Sequence, residues 1–273
     1  FAPSPTGRLH KGHAFSALLA HERARVEGGR FLLRIEDIDT TRCRNEFIDG
    51  IYEDLAWLGL EWETPVRHQS EHFDDYLTAL EQLKSMGLAY PCFCTRKDIE
   101  AEIAKSASAP HGPDGPIYPG ICRHLSVAER AAKIEAGTPH AWRLDLTAAL
   151  SQINQPLKWR DELKGMISAT PNELGDVVLA RKDTPTSYHL SVVVDDALQG
   201  ISHVIRGEDL WHATHIHVVL QHLLGLPTPV YHHHGLLLDE SGQRFAKRNK
   251  SVTLESLRES GERPQELRFS LLA

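Results

Sequence analysis

Apolar residues recur along this chain in two rhythms, and the changes between them mark its elements. Phe1-Ala2-Pro3-Ser4-Pro5 reads as a stiff, proline-punctuated strand end that turns at Gly7 into a helix. That helix is placed at Phe15 to Val26, with Ala14, Leu18 and Leu19 on one stripe. Residues 31–38 (FLLRIEDI) follow a Gly28-Gly29 turn and read as a buried strand, so a β-α-β opening and a parallel sheet are expected. Helical spacing returns over 45–59 (Phe47, Ile51, Leu55, Leu58) and over 71–87 (Phe73, Tyr76, Leu77, Leu80, Leu83), the second stopping at Gly87. Residues 106–120 are rich in Gly, Pro, Ser and Ala and are expected to be loop. Beyond them, 189–205 reads as β-rich around a turn, 210–225 as a helix ended by Gly225 and Pro227, and 236–238 (LLL) as a short strand. Residues 251–273 read as one or two short helices.

Composition narrows the class without naming it. The 273 residues are 41% hydrophobic and 25% charged, ordinary material for one large domain or two modest ones. No apolar stretch reaches membrane-spanning length and nothing at the start resembles a signal peptide, so no membrane partner is expected. The first residue is not Met and lies inside a motif, so leading residues are expected to precede it. A net charge of -7 places any RNA contact on a local Lys/Arg patch rather than on the overall field.

The densest chemistry lies in Arg8-Leu9-His10-Lys11-Gly12-His13-Ala14. Backbone N–H groups at a helix start are unpaired and carry partial positive charge, which suits phosphate. His10 and His13 are three residues apart and share a face above that terminus, and Gly12 lets a flat ligand approach the backbone. These parts suit a nucleoside triphosphate whose departing phosphate is met by imidazoles; the plainer alternative is two solvated first-turn histidines. Glu36, at the end of the second strand, falls at the carboxyl edge of the expected sheet, where open α/β sheets bind ligands. Arg206 likewise follows an apolar strand, and a guanidinium grips a carboxylate through two parallel hydrogen bonds. Surface ion-pair clusters are the plainer reading of both neighbourhoods. His212, His215 and His217 read as a polar helix surface. Of His232 to His234 one is expected to face a nucleotide and the others to be structural or solvated.

Four cysteines, Cys43, Cys92, Cys94 and Cys122, point to a reduced, cytoplasmic protein with a metal site rather than to disulfides. Cys92-x-Cys94 and Cys122 supply three soft ligands, and a structural zinc site needs four. Tyr118, His111 and His124 are candidates for the fourth; on chemistry alone His124 is preferred, and Cys43 is taken as a plain thiol.

The strings FAPSPTGRLHKGHA, FLLRIEDIDTTR, TSYHLSVVVDDALQGISHVIRGEDL and LLLDESGQRFAKR, in this order, resemble the catalytic core of class I glutamyl-tRNA synthetases over nearly the whole chain. The resemblance implies an α/β fold: a Rossmann-like parallel sheet with an inserted zinc-containing α+β subdomain and a short helical C-terminal segment. The implied divisions are 1–88 and 181–235 for the two halves of the nucleotide-binding domain and 89–180 for the insertion. Residues 236–273 would carry the lysine loop and C-terminal helices, with no anticodon-binding domain. The implied activity is ATP-dependent activation of L-glutamate, with Mg²⁺ accompanying ATP. Catalysis falls to His10, His13 and Lys247, and ATP binding to His10, Gly12, His13, Glu208 and Lys247. For the amino acid the family implies Glu36 on the ammonium, Arg206 on the side-chain carboxylate, and Ala2, Ser4 and Tyr188 around it. Arg244-Phe245-Ala246-Lys247-Arg248 matches the family's second signature in part, with Arg244 and Ala246 departing from it. Ile117-Tyr118-Pro119-Gly120-Ile121-Cys122 resembles the zinc site of a short branch, the glutamyl-queuosine tRNA(Asp) synthetases. That likeness implies one structural zinc on Cys92, Cys94, Tyr118 and Cys122, with His124 as competitor. The branch implies a monomer that transfers glutamate to queuosine in the anticodon of tRNA(Asp). The alternatives are a catalytic fragment of a glutamyl-tRNA synthetase charging tRNA(Glu) and a non-catalytic nucleotide- or RNA-binding paralogue.

Overall fold

The structure, a computed structural model, describes residues 1–105, 111–112, 115–237 and 252–272. In chain order its elements are α1 (Lys11–Val26), β1 (Leu32–Ile35), α2 (Asn45–Trp57), β2 (Glu63–His68), α3 (Phe73–Ser85), β3 (Ala89–Cys92) and α4 (Arg96–Lys105). Then come β4 (His111–Gly112), β5 (Gly115–Pro116), α5 (Val127–Glu135), β6 (Ala141–Leu144), α6 (Leu146–Ser151), β7 (Lys158–Asp161), β8 (Gly165–Ser168) and β9 (Val178–Ala180). The chain continues through α7 (Tyr188–Leu198), β10 (His203–Gly207), α8 (Trp211–Leu224), β11 (Val230–His234), α9 (Leu254–Glu259) and α10 (Pro264–Leu272). It divides into two compact units, one of residues 1–72, 203–210 and 231–273, the other of residues 73–202 and 211–230.

In the first unit β1 pairs in parallel with β2, Arg34 opposite Arg67 and Ile35 opposite His68. On the other side of β1 runs the extended segment Phe1–Pro5. The Phe1 amino group donates to the Leu32 carbonyl at 2.8 Å, and the Arg34 and Glu36 amides donate to the Phe1 and Pro3 carbonyls, each at 3.0 Å. This is the slanted ladder of parallel strands, and it pairs Ala2 with Arg34 and Ser4 with Glu36. Paired residues point to one face, so Ala2, Ser4 and Glu36 share a face while buried Pro3, Leu33 and Ile35 turn into the core. That core is built from Leu9, Ala14, Ala17, Leu18, Leu33, Ile35, Ile51 and Leu55, closed by Leu254 and Leu267 from α9 and α10. α1 begins four residues before the placed start, because His10 itself is the N-cap.

In the second unit β3, β6 and β9 form an antiparallel sheet, with Cys92 opposite Ala141 and Trp142 opposite Ala180. β7 and β8 form a hairpin, and the Tyr76 hydroxyl on α3 donates to the Asp195 carboxylate on α7 at 3.0 Å. Residues 106–110 and 113–114 of the expected loop lie outside the described residues, while β4 and β5 pair as a two-residue antiparallel bridge.

Three expectations are corrected. Residues 189–205 are not mainly strand: Tyr188–Leu198 is helix α7, and the strand begins only at His203. Ser187 caps that helix by accepting from the Leu190 amide, and Leu190 and Val192 to Asp195 are all buried. Burial on every side overrides the β preference of the valine run, and a short apolar run does not separate a buried helix from a buried strand. His215 and His217 are not on a polar surface. α8 is enclosed from Ala213 to Leu224 except at His222, and the two rings are 4% and 1% exposed. The strand expected at 236–238 falls instead at 230–234; Leu236 and Leu237 are irregular, and Leu238 lies outside the described residues.

Candidate active site and thiol cluster

The first turn of α1 is tied shut by its own imidazoles. The Gly12 amide donates to His10 Nδ1 and the His10 amide donates to His13 Nδ1, each at 3.2 Å. This is a capping box in which two histidines take the places usually held by Ser/Thr and Glu. Its consequence is chemical. An Nδ1 that accepts from the backbone carries no proton, so each neutral ring holds its proton on Nε2. Two imidazole donors with rings 3.8 Å apart thus stand at the positive end of a sixteen-residue helix. Lys11 follows the cap directly.

Parallel strands put this helix start at the same sheet edge as Glu36, and the edge holds more acid than Glu36 alone. Glu36 is 14% exposed with Arg34 Nη2 at 3.6 Å from its carboxylate. Asp37 is buried and accepts from the Ser70 amide and hydroxyl at 2.8 and 2.7 Å. Asp39 accepts from Thr41 Oγ1 at 2.6 Å and Arg42 Nε at 2.7 Å. Cys43 is no isolated thiol: burial, then Asp37 and Asp39, push it above the ordinary thiol value, against a hydrogen bond with Ser4. The carboxylate-dense Glu36-Asp37-Ile38-Asp39 run is the sequence signal for this cluster.

β10 and β11 are neighbours, and Arg206 leaves β10 among aromatic rings. Its Nε donates to His233 Nε2 at 3.2 Å, its Nη2 to the Leu210 carbonyl at 3.2 Å, and its guanidinium carbon lies 5.2 Å from the Tyr231 ring centre. A Cβ on Gly207 would come within 2.6 Å of Asp209 Oδ1 and 2.9 Å of Leu236, so a larger residue there would displace both side chains from the turn after Arg206. Glu208 is exposed in that turn. His234 lies on the opposite strand face: Ser16 Oγ is 2.8 Å from its Nε2, and its Nδ1 contacts the Gly235 carbonyl at 2.9 Å. Burial lowers its pKa, disfavouring the charged ring. His233 and His234 are therefore buried structural partners, and His232 is half-buried.

Arg244, Ala246 and Lys247 lie outside the described residues, but both flanks of that stretch are fixed to α1. His234 bonds Ser16, and Thr253 bridges His10 while the Leu254 amide donates to the Leu9 carbonyl at 2.9 Å. Tyr188 belongs to the second unit, where it opens α7; its ring lies beside His189 and His217, whose Nδ1 and Nε2 are 3.2 Å apart.

The thiol cluster lies wholly in the second unit. Cys92, Cys94 and Cys122 hold their sulfurs within 4.8 Å of one another, Cys94 and Cys122 at 3.4 Å. The Tyr118 hydroxyl lies 3.3 Å from Cys92 Sγ and 3.6 Å from Cys94 Sγ. A zinc tetrahedron with bonds of about 2.3 Å to sulfur and about 2.0–2.2 Å to oxygen has edges of about 3.5–3.8 Å. The three short separations among these four atoms, 3.3, 3.4 and 3.6 Å, lie close to those edges, whereas His124 is exposed and outside the group. Burial opposes the Cys92 thiolate, yet hydrogen bonds with Tyr118 and Arg143 hold it below its ordinary value. Burial and the adjacent sulfurs push Cys94 up to about 12. Burial also raises Tyr118, although its oxygen accepts the Cys122 amide at 2.9 Å and Arg143 lies 3.9 Å over its ring. Both contacts favour a phenolate, and a cation among these groups would supply the missing charge.

One compact unit holds a histidine-capped helix start, an acidic strand end and a braced arginine, the parts expected of a class I aminoacyl-tRNA synthetase. Residues 1–272 match the model of the tRNA synthetases class I (E and Q), catalytic domain, and the chain belongs to that family. Among its relatives is the glutamyl-Q tRNA(Asp) synthetase of Rhodobacter capsulatus, 50% identical over 98% of this chain and 97% of that protein. The enzyme of the same name from Deinococcus radiodurans is 45% identical over 97% of this chain and 84% of its own. The glutamate–tRNA ligase of Aquifex aeolicus is 39% identical over 98% of this chain but 54% of that protein. The crystal structure of glutamate–tRNA synthetase from Elizabethkingia anophelis matches with a TM-score of 0.77 at 30% identity. The match covers 91% of this chain and 52% of that one, so the chain spans about half its length.

Proposed function

We propose that this protein activates L-glutamate with ATP and transfers the glutamyl group to queuosine in the anticodon of tRNA(Asp). The observation that carries the reading is 50% identity, across 98% of the chain, to a protein named for that activity. The face shared by Ala2, Ser4 and Glu36 receives the amino acid, Glu36 answering its ammonium and Arg206 its side-chain carboxylate. Tyr188 enters this proposal only through the family likeness. The α-carboxylate attacks the α-phosphorus of ATP, and the Nε2 protons of His10 and His13 meet the charge growing on departing pyrophosphate. Gly12 allows close approach of the nucleotide, and Glu208 and Lys247 complete its contacts. Catalysis of this kind is positioning and electrostatics, without a protein nucleophile. Magnesium bound with ATP supplies neutralising charge on the phosphates. The anchoring of both flanks of the 238–251 stretch at α1 supports the role given to Lys247.

We further propose one structural zinc on Cys92, Cys94, Tyr118 and Cys122. With four protein ligands it has no open position, so it fixes the local fold and takes no part in the reaction. The protein is proposed to act as a cytoplasmic monomer, a setting in which thiols stay reduced.

Charging with labelled glutamate tests the whole. Label should require queuosine-containing tRNA(Asp) and survive periodate oxidation of the tRNA 3′ end. Label on tRNA(Glu) would give the protein the activity named for the glutamate–tRNA ligase relative. Absence of glutamate-dependent ATP–pyrophosphate exchange would make it a non-catalytic paralogue.

A further inference from the structure

The buried histidine beside Arg206 takes no direct part in the activity proposed above, yet its geometry bears on it. His233 is 1% exposed, as is Tyr231 one strand repeat before it, and the two rings stack at 5.7 Å with 9° between their planes. Arg206 closes the group, with Nε donating to His233 Nε2 at 3.2 Å and its guanidinium carbon 5.2 Å over Tyr231. An Nε2 that accepts from a guanidinium is unprotonated, so His233 is neutral and presents one fixed lone pair. The Leu210 carbonyl takes a second proton of the same guanidinium at 3.2 Å. Two acceptors on different elements, with an aromatic surface beneath, leave a long flexible side chain little rotational freedom. Bidentate recognition of a carboxylate depends on the plane and tilt of the guanidinium, which a salt bridge to a mobile arginine would not hold.

We propose that His233, stacked on Tyr231, is the positioning residue that orients Arg206 and so sets affinity for glutamate and its selection over glutamine. The proposal rests on Arg206 reading the side-chain carboxylate. His233 touches no substrate atom in this scheme; it acts only through Arg206. Its effect therefore belongs to the amino acid and not to ATP.

Three substitutions separate this role from general packing. In glutamate-dependent ATP–pyrophosphate exchange, His233→Leu should raise the KM for glutamate about tenfold or more, as expected when the partner of a partly buried charged group is removed. The KM for ATP should stay within about twofold and the preference for glutamate over glutamine should narrow. His233→Gln sets an amide oxygen near the position of Nε2 and should recover most of the glutamate affinity. His233→Asn sets its oxygen where Nδ1 was and should not. If the leucine variant fails to fold, the Gln/Asn contrast remains, since both are polar and similar in volume. Equal glutamate KM in the Gln and Asn variants, or parallel loss of glutamate and ATP affinity, overturns the inference. A wild-type protein that activates no glutamate overturns the function proposed above and takes this inference with it. One that activates glutamate with a KM unmoved by His233→Leu overturns the positioning role alone.

Discussion

The thiol cluster and the histidine-capped sheet edge are both polar groups gathered in a folded interior, and they are satisfied in opposite ways. In the cluster the side chains face one another: three sulfurs and a hydroxyl crowd together, and burial, then the adjacent sulfurs, drive Cys94 up to about 12. In the first unit the imidazoles of the helix cap and the guanidinium of Arg206 are each held by a protein group of opposite character. His10 is held by the Gly12 amide, His13 by the His10 amide, and Arg206 by His233 and Leu210. A cluster that turns its lone pairs on itself calls for a cation. Residues braced in this way are preorganised for a ligand that comes and goes.

The largest effect should come from breaking the first of these. Cys92→Ser should take bound zinc from one per chain to none. Metal binding of this kind couples on the order of 10 kcal/mol to folding, so the drop in melting temperature should exceed that of any substitution at the helix cap or at Asp54. Pyrophosphate exchange at temperatures where the variant stays folded should change far less, and metal analysis alongside exchange kinetics would check both. A Cys92→Ser protein that melts normally would erase the contrast, since the cluster would then be ordinary packed thiols.

Next in size is the helix cap, where binding and bracing can be separated. His10→Ala removes both the N-cap and the Nε2 donor. Exchange should fall about 10²–10³-fold, the usual cost of one preorganised donor, and stability by about 1 kcal/mol. His10→Asn keeps an oxygen that can accept the Gly12 amide and loses only the donor. It should therefore recover stability but not rate, as urea unfolding and exchange would show together. Recovery of both by asparagine would mean that His10 is a cap and nothing more.

How much of this is legible in the sequence follows the same division. The thiol cluster spans only residues 92–122, so its spacing can be read directly, but the choice between Tyr118 and His124 needs the fold, which exposes one and seats the other on two sulfurs. His10, Gly12 and His13 are legible because a helix start is local. Their mutual capping is not, because imidazoles rarely fill a capping box. Arg206 and its partner His233 stand on separate strands, and nothing in either neighbourhood pairs them. α7 reads as strand because its valine run is buried on all sides, which erases the helical stripe, and His215 and His217 are misplaced for the same reason. β2, Glu63–His68, is hidden in the sequence since Pro65 and three charged or imidazole residues mask its pairing.

The smallest of these effects sharpens the contrast from within the sheet-edge unit, where one group resembles the crowded thiols. Asp54 on α2 is buried, and among the described residues neither carboxylate oxygen accepts a hydrogen bond; Arg258 Nη1, on α9, lies 3.5 Å from Oδ1. Burial raises its pKa to about 6 from 3.8, against the pull of Arg258. The folded protein therefore holds a proton on Asp54 between about pH 4 and pH 6 that the unfolded chain has given up. Stability from this group is complete below pH 4, is lost as pH rises through 6, and stays lost above it. Asp54→Asn carries no such titration. The variant's unfolding free energy relative to wild type should climb by up to about 3 kcal/mol between pH 4 and pH 7, at about 1.4 kcal/mol for each pH unit that separates the folded and unfolded values. Urea unfolding at both pH values measures that difference. If the difference is flat, Arg258 neutralises Asp54 as fully as the sheet edge neutralises its other charges, and crowding without a matched partner belongs to the thiol cluster alone. If it climbs as expected, the two units share one problem, a buried group whose charged form is poorly supported. The first unit meets it with a proton on Asp54, where the second would meet it with a metal.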